Sequence, residues 1–155
     1  MWWRRFRYVL ALAGLCAIAT CPAAKRGCTR KVQAREADEL LGYLADRVAA
    51  RVAATGKVPP TAAPLTPEPA CCEQGGTCAP DPATWAADGW RDLAFTIDGP
   101  YRYSYEYAPD PSGLSATLRA VGDLACDGTT SRVEVVLTVD DGQVSRVWHR
   151  EGPPE

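Results

Sequence analysis

Seven cysteines in 155 residues are the side chains of this chain best equipped for chemistry, and they fall into two groups. Cys16, Cys21 and Cys28 lie near the N-terminus, while Cys71, Cys72, Cys78 and Cys126 lie beyond it. Four thiolates can hold zinc, but structural zinc sites present ligand pairs two to four residues apart, and an adjacent Cys71-Cys72 is not such a pair. A thioredoxin-like Cys-x-x-Cys is absent as well. In an oxidising compartment an even set reads as disulfides. Cys71, Cys72, Cys78 and Cys126 are therefore disulfide candidates, and three complete pairings stay open.

Other chemistry has little to work with. His149 is the single histidine and stands beside Trp148 in an expected terminal strand, with no motif around it. A general base or a histidine-rich metal site thus has one candidate and no partners. Gly75-Gly76 does not open a helix after a strand, so it is no phosphate cradle. Asp81, Asp88, Asp92 and Asp98 fall in expected loops or strand ends, and no carboxylate pair is set by helical spacing. Asp123 and Asp127 resemble the first half of a calcium loop, but Ala125 stands where a central aspartate belongs. A hard cation wanting 6–8 oxygens is poorly served there, so the segment reads as an Asp/Gly-rich turn. No enzyme activity, metal or cofactor is expected. With a net charge of −2, the chain also offers no electrostatic case for binding nucleic acid.

The elements that must position these residues follow from pattern. Arg4, Arg5 and Arg7 precede an apolar run over Tyr8–Ala19, the layout of a secretory signal and short for a membrane span. Residues 1–24 are read as signal peptide, with a retained anchor and a lipid-modified Cys21 as alternatives. Each places the remainder outside the cytoplasm, in the periplasm or cell envelope. Pro22 breaks any helix leaving that run. Residues 25–56 form an amphipathic helix: Ala37, Leu41, Leu44, Val48 and Val52 recur every three or four positions, and Leu40 widens the stripe. Gly56 is its C-terminal stop. Five prolines between Pro59 and Pro69 make 57–70 a stiff connector rather than a packed element.

Residues 71–155 read as a disulfide-stapled β domain. Leu93–Ile97 is expected as a strand, followed by Tyr101, Tyr103, Tyr105 and Tyr107 in strict alternation. Leu114, Ala116, Leu118 and Ala120 form the next inward face. Val133, Val135, Leu137 and Val139 form the clearest strand, and Asp141-Gly142 turns it into a hairpin. The fold class is therefore α+β, one long helix on a small antiparallel sheet of four or five strands. The tyrosine face, with Trp85 and Trp90, reads as core lining or as an aromatic ligand-contact and interaction face.

From Cys71 to Ser131 the chain resembles the type IV pilin and pseudopilin-like proteins of the myxobacterial type. The resemblance rests on Cys71-Cys72…Gly75-Gly76-Thr77-Cys78-Ala79-Pro80, Trp85…Trp90-Arg91-Asp92-Leu93-Ala94-Phe95 and Tyr101-Arg102-Tyr103. The loop Gly122-Asp123-Leu124-Ala125-Cys126-Asp127-Gly128 continues it, and Arg35-Glu36-Ala37 stands at the helix start. It covers roughly half the chain and implies a pilin-like fold and a non-catalytic role in the envelope or in a filament such as a type IV pilus or type II secretion pseudopilus. Its implied partners are other envelope or pilin-like proteins, with the N-terminus in the inner membrane. The prepilin signal of that family is missing here. A free-standing periplasmic or lipid-anchored binding domain is the alternative function.

Overall fold

The computed structural model describes residues 22–152, with side chains from residue 35 onward. The expected signal segment, with Cys16 and Cys21, lies outside the described residues apart from its last few positions. Helix α1 spans Pro22–Thr55, starting earlier than the expected position 25. Proline is at home at the first position of a helix, where its missing N–H would have no partner anyway. Gly56 ends α1 with φ 75, and its N–H reaches the Val52 carbonyl at 2.7 Å. That left-handed stop costs glycine little because it has no Cβ.

Five strands follow in one antiparallel meander, in spatial order β1-β2-β3-β4-β5. They are β1 (Ala63–Thr66), β2 (Ser104–Pro109), β3 (Ser115–Gly122), β4 (Ser131–Asp140) and β5 (Gln143–Glu151). Alternation is cleanest in β3 and β4, where Ala116, Leu118, Ala120, Val133, Val135, Leu137 and Val139 are all buried. They meet the stripe Ala37, Leu41, Leu44, Val48 and Val52 of α1, also fully buried, in one core. Full burial of each such aliphatic side chain favours the fold by about 1.5–3 kcal/mol. The opposite sheet face is open and polar, as antiparallel sheets allow. There Arg119 of β3 bridges Glu106 of β2 and Glu134 of β4.

Three expectations change. Residues 57–70 are not merely a connector: β1 lies within them as an edge strand, and Val58, Pro59, Ala63, Thr66 and Pro67 are buried. Proline is tolerated there because an edge strand has a row of N–H groups that need no ladder partner. Leu93–Ile97 is not a strand. Leu93 ends the short helix α2 (Asp88–Leu93), and Ala94 turns left-handed with φ 47. Phe95 and Ile97 are buried and Thr96 is exposed, so the period-two pattern is present without a ladder to join. The tyrosine strand also begins late. Tyr101 makes a lone bridge to Cys78, and regular pairing starts at Ser104.

Candidate functional site

The junction between α1 and the meander is where the sequence concentrates its cysteines and aromatics. A single-turn helix at Cys71–Gln74 runs into Gly75 and Gly76, both at positive φ (96 and 89). Their N–H groups return to the carbonyls of Cys72 (3.3 Å) and Cys71 (2.9 Å). This reversal carries Cys78 back to Cys71, and the two form a disulfide with Cα atoms 5.0 Å apart. Cys72 pairs with Cys126 across 54 residues, with Cα atoms 5.4 Å apart. The sequence left three pairings open, and this is the one the fold contains. Cys71 and Cys78 are buried, whereas Cys126 stands at the surface.

Below the staple lies an aromatic cluster. Trp85 meets Trp90 edge-to-face at 5.3 Å and Phe95 edge-to-face at 5.2 Å, and Tyr101 stands 5.7 Å away. Such pairs contribute about 0.5–1.5 kcal/mol beyond the area they bury. Trp90 donates its indole N–H to the Thr66 hydroxyl at 2.9 Å. Trp85 Nε1 is buried without a hydrogen-bond partner, surrounded by rings whose faces are weak acceptors.

The tyrosines reach their partners one by one. Tyr107 donates to the Pro59 carbonyl at 2.6 Å, Tyr105 to Glu36 Oε1 at 3.3 Å, and Tyr103 meets Ser131 Oγ at 3.4 Å. Glu36 of α1 is the hub. Its Oε1 also accepts the N–H groups of Arg102 (2.7 Å) and Tyr103 (3.2 Å), and the Arg102 guanidinium lies 3.6 Å from Oε2. This explains the late start of β2, because a helix carboxylate takes the N–H groups of Arg102 and Tyr103. In the sequence Glu36 stands out only as part of the Arg35-Glu36-Ala37 helix start. No signal marks it as a clamp beyond its place one residue before the buried Ala37.

Burial, reinforced by the Glu36 carboxylate, pushes the Tyr105 phenol well above its ordinary value, and burial alone raises Tyr107. Tyr101 is raised by burial first and then by Asp81. The Tyr105 and Tyr107 phenols stay protonated at neutral pH and act as hydrogen-bond donors. Trp85, Trp90, Tyr101, Tyr103, Tyr105 and Tyr107 are each no more than 3% exposed. Of the two readings of these rings, core lining is the one their burial fits: α1, β1 and the junction cover them.

Asp123 and Asp127 build their own loop. The Asp123 carboxylate accepts from the N–H groups of Asp127 (3.2 Å) and Gly128 (2.8 Å), and Asp127 accepts from Thr129 N–H (2.9 Å). Among the described residues no cluster of three or more His, Cys, Asp or Glu side chains is placed to hold a metal. His149 is exposed on β5, opposite Glu134 in the ladder.

Two open cavities flank the junction. One of about 810 Å³ lies between the end of α1 and the β2–β3 turn, with Arg51, Lys57, Asp92 and Asp110 mixed around its wall. The other, about 600 Å³, lies beside Glu39, Leu40, Tyr43 and Ile97, with an edge of Tyr101. Both walls carry charges of mixed sign. No helix among the described residues is long and apolar enough to cross a membrane. No protein-family model, curated protein or solved structure matches this chain.

Proposed function

We propose that this chain is an exported, non-catalytic envelope protein of the pilin-like, minor pseudopilin type, acting through contacts with other envelope proteins. The observation that carries the reading is the pair of disulfides at the helix–sheet junction. Such bonds persist in oxidising compartments and are rare in the cytosol. The arrangement of one long helix on an antiparallel meander, with Cys71–Cys78 and the tryptophans at the junction, agrees with the pilin-like resemblance. That no cluster of His, Cys, Asp or Glu among the described residues is placed to hold a metal favours protein contact over metal-assisted catalysis. Burial of the six rings also favours it over a binding domain with an aromatic ligand face.

The test is the intact mass of the native protein from the envelope fraction, alkylated with and without prior reduction. The expected result is that Cys71, Cys72, Cys78 and Cys126 resist alkylation until reduced. A mass beginning near Thr20 means a cleaved leader, and the full-length mass means a retained anchor able to serve assembly. Four thiols that react freely in the native protein sink the proposal.

A further inference from the structure

The two edges of the sheet are finished differently. β1 is four residues long, contains Pro64, and pairs with β2 through an irregular register. Those are devices that keep an edge from pairing with another chain. β5 is nine residues long, has no proline or lysine, and keeps an unbroken register with β4 from Gln143 to Glu151. Among the described residues nothing pairs with its outer side.

The ladder determines which of its groups point outward. Val139 N–H bonds the Leu114 carbonyl at 2.8 Å, so odd-numbered positions of β4 bond towards β3 and even-numbered ones towards β5. With Asp140 opposite Gln143 and Thr138 opposite Ser145, the odd-numbered groups of β5 bond inward. The N–H and C=O groups of Val144, Arg146, Trp148 and Arg150 therefore face outward from the edge. Their side chains share the α1 side of the sheet, where Arg146 pairs with Asp46 and Arg150 with Asp38 of the helix. Those ion pairs draw the two guanidiniums towards α1 and away from the edge. On the other face Val147 is 53% exposed, one of few large apolar side chains among the described residues left in water.

We propose that β5 is the docking edge for a second copy of this chain, the two strands pairing antiparallel about a twofold axis at Val147. Length of overlap and avoidance of like charge select this register. Centred at Val147, it pairs the whole of Gln143–Glu151 with its copy and sets Arg146, held by Asp46, opposite the partner copy's Trp148, whose ring Arg150 of its own chain already covers. It also sets Val144 opposite Arg150, Ser145 opposite His149, and Val147 against its own copy. A shift of one position in the centre, to 146 or 148, sets arginine directly opposite arginine, which is destabilising. The result is one continuous sheet whose outermost strands are the two blunted β1 edges, so that pairing stops at the dimer. This inference does not depend on where the protein resides.

Disulfide trapping tests it on the full chain, with Cys16, Cys21 and Cys28 replaced by serine. The trapping sites Ser145, Val147 and His149 are exposed, so their substitution leaves the core intact. Val147→Cys is expected to form a covalent dimer under mild oxidation. Ser145→Cys alone is expected to form none, but to cross-link when mixed with His149→Cys. In sedimentation, Val147→Lys should weaken the dimer by about tenfold or more, because like charges then meet at the axis. No cross-link at Val147→Cys, equal yields at every site, or a monomeric parent protein overturns the proposal. Any of those leaves the exported, disulfide-bonded reading untouched, because that reading rests on Cys71, Cys72, Cys78 and Cys126.

Discussion

Between Cys71 and Tyr103 the backbone makes two single-turn helices, one short helix and a lone bridge, yet Trp85, Trp90, Phe95 and Tyr101 are all buried in the core. Between Ser104 and Glu151 nearly every residue outside the turns sits in a regular ladder. The two regions share one core but are held by different means. The meander repeats a local rule, alternation plus pairing, and tolerates change wherever a side chain faces water. The junction has no repeated rule. It depends on disulfides, ring packing and single side chains that take up backbone groups, such as Arg47 and Arg51 of α1 donating to the carbonyls of Leu93 and Asp92 at 3.0 and 2.9 Å. Substitutions should therefore be felt far more at the junction than in the meander.

The largest contrast is expected between two glycines. A Cβ on Gly89 in α2 would lie 2.2 Å from the Ala62 carbonyl oxygen and 2.8 Å from the Ala63 Cα, both backbone atoms of the β1 segment. Gly89→Ala should cost about 4 kcal/mol or more, an unusually severe value that reflects a forced shift of packed backbone. Gly142, in the β4–β5 turn, has φ 75 and nothing within 4 Å. There Gly142→Ala carries only the left-handed penalty of about 1–2 kcal/mol. Urea melts of both variants check the ranking, and equal losses would remove the contrast between the regions.

The disulfides come next. In the chain-entropy account, a bridge spanning 54 residues is worth about 4 kcal/mol and one spanning 7 residues about 2.5 kcal/mol. Cys72→Ala with Cys126→Ala should therefore lower the melting temperature more than Cys71→Ala with Cys78→Ala. This is so even though the shorter bridge is the buried one. The reverse order would mean that ring packing around Cys71 and Cys78, rather than restriction of the unfolded chain, sets the strength of the junction.

Alkaline pH separates the regions a third way. Tyr105 and Tyr107 face α1 and β1 from β2 and have phenols raised by burial, while β3 to β5 contain no tyrosine. Above an ordinary phenol value near 10 the unfolded chain loses those protons and the folded protein keeps them. Stability is thus full below about pH 10 and falls as pH rises through the folded values, by up to about 1.4 kcal/mol per pH unit for each phenol. Tyr107→Phe should flatten that fall in denaturant melts between neutral and alkaline pH. An unchanged slope would mean that the Tyr107 hydroxyl, with its bond to Pro59, is not the group that titrates.

The same division decides what was legible in the sequence. Val133 to Val139, the Asp141-Gly142 turn and the helix stripe are short-range periodic signals, and each lies where it was expected. β1 was not legible, because five prolines suppress a strand reading and its pairing partner Tyr107 is more than forty positions away. Leu93–Ile97 misled for the opposite reason. Its alternation comes from packing beneath α1, and period two carries no information about whether a ladder partner exists. The burial of the six aromatic side chains depends on α1 covering them, which no local pattern records. Glu36 was hidden because a carboxylate accepting three donors from residues some seventy positions away leaves no local trace. Disulfide candidacy was readable, but pairing required the Gly75-Gly76 reversal and the approach of the β3–β4 loop.

The smallest effect concerns the two kinds of ion pair that join elements of the meander to each other and to the helix. Arg146 reaches Asp46 of α1 at 2.7 Å from an exposed position. Arg146→Ala is expected to cost no more than about 0.5 kcal/mol, since exposed pairs lose side-chain entropy and are screened by salt. Arg119 differs by having a carboxylate on each side, Glu106 on β2 and Glu134 on β4, which hold its guanidinium still further towards the charged form. Arg119→Ala removes the attraction and also leaves two carboxylates facing each other across β3, so a loss of about 1 kcal/mol is expected. Adding salt should narrow the gap between the variants by screening that repulsion. If Arg119→Ala is instead as costly as losing a disulfide, the meander also hangs on single residues, and the distinction between its repeated ladder and the stapled junction fails at its polar face.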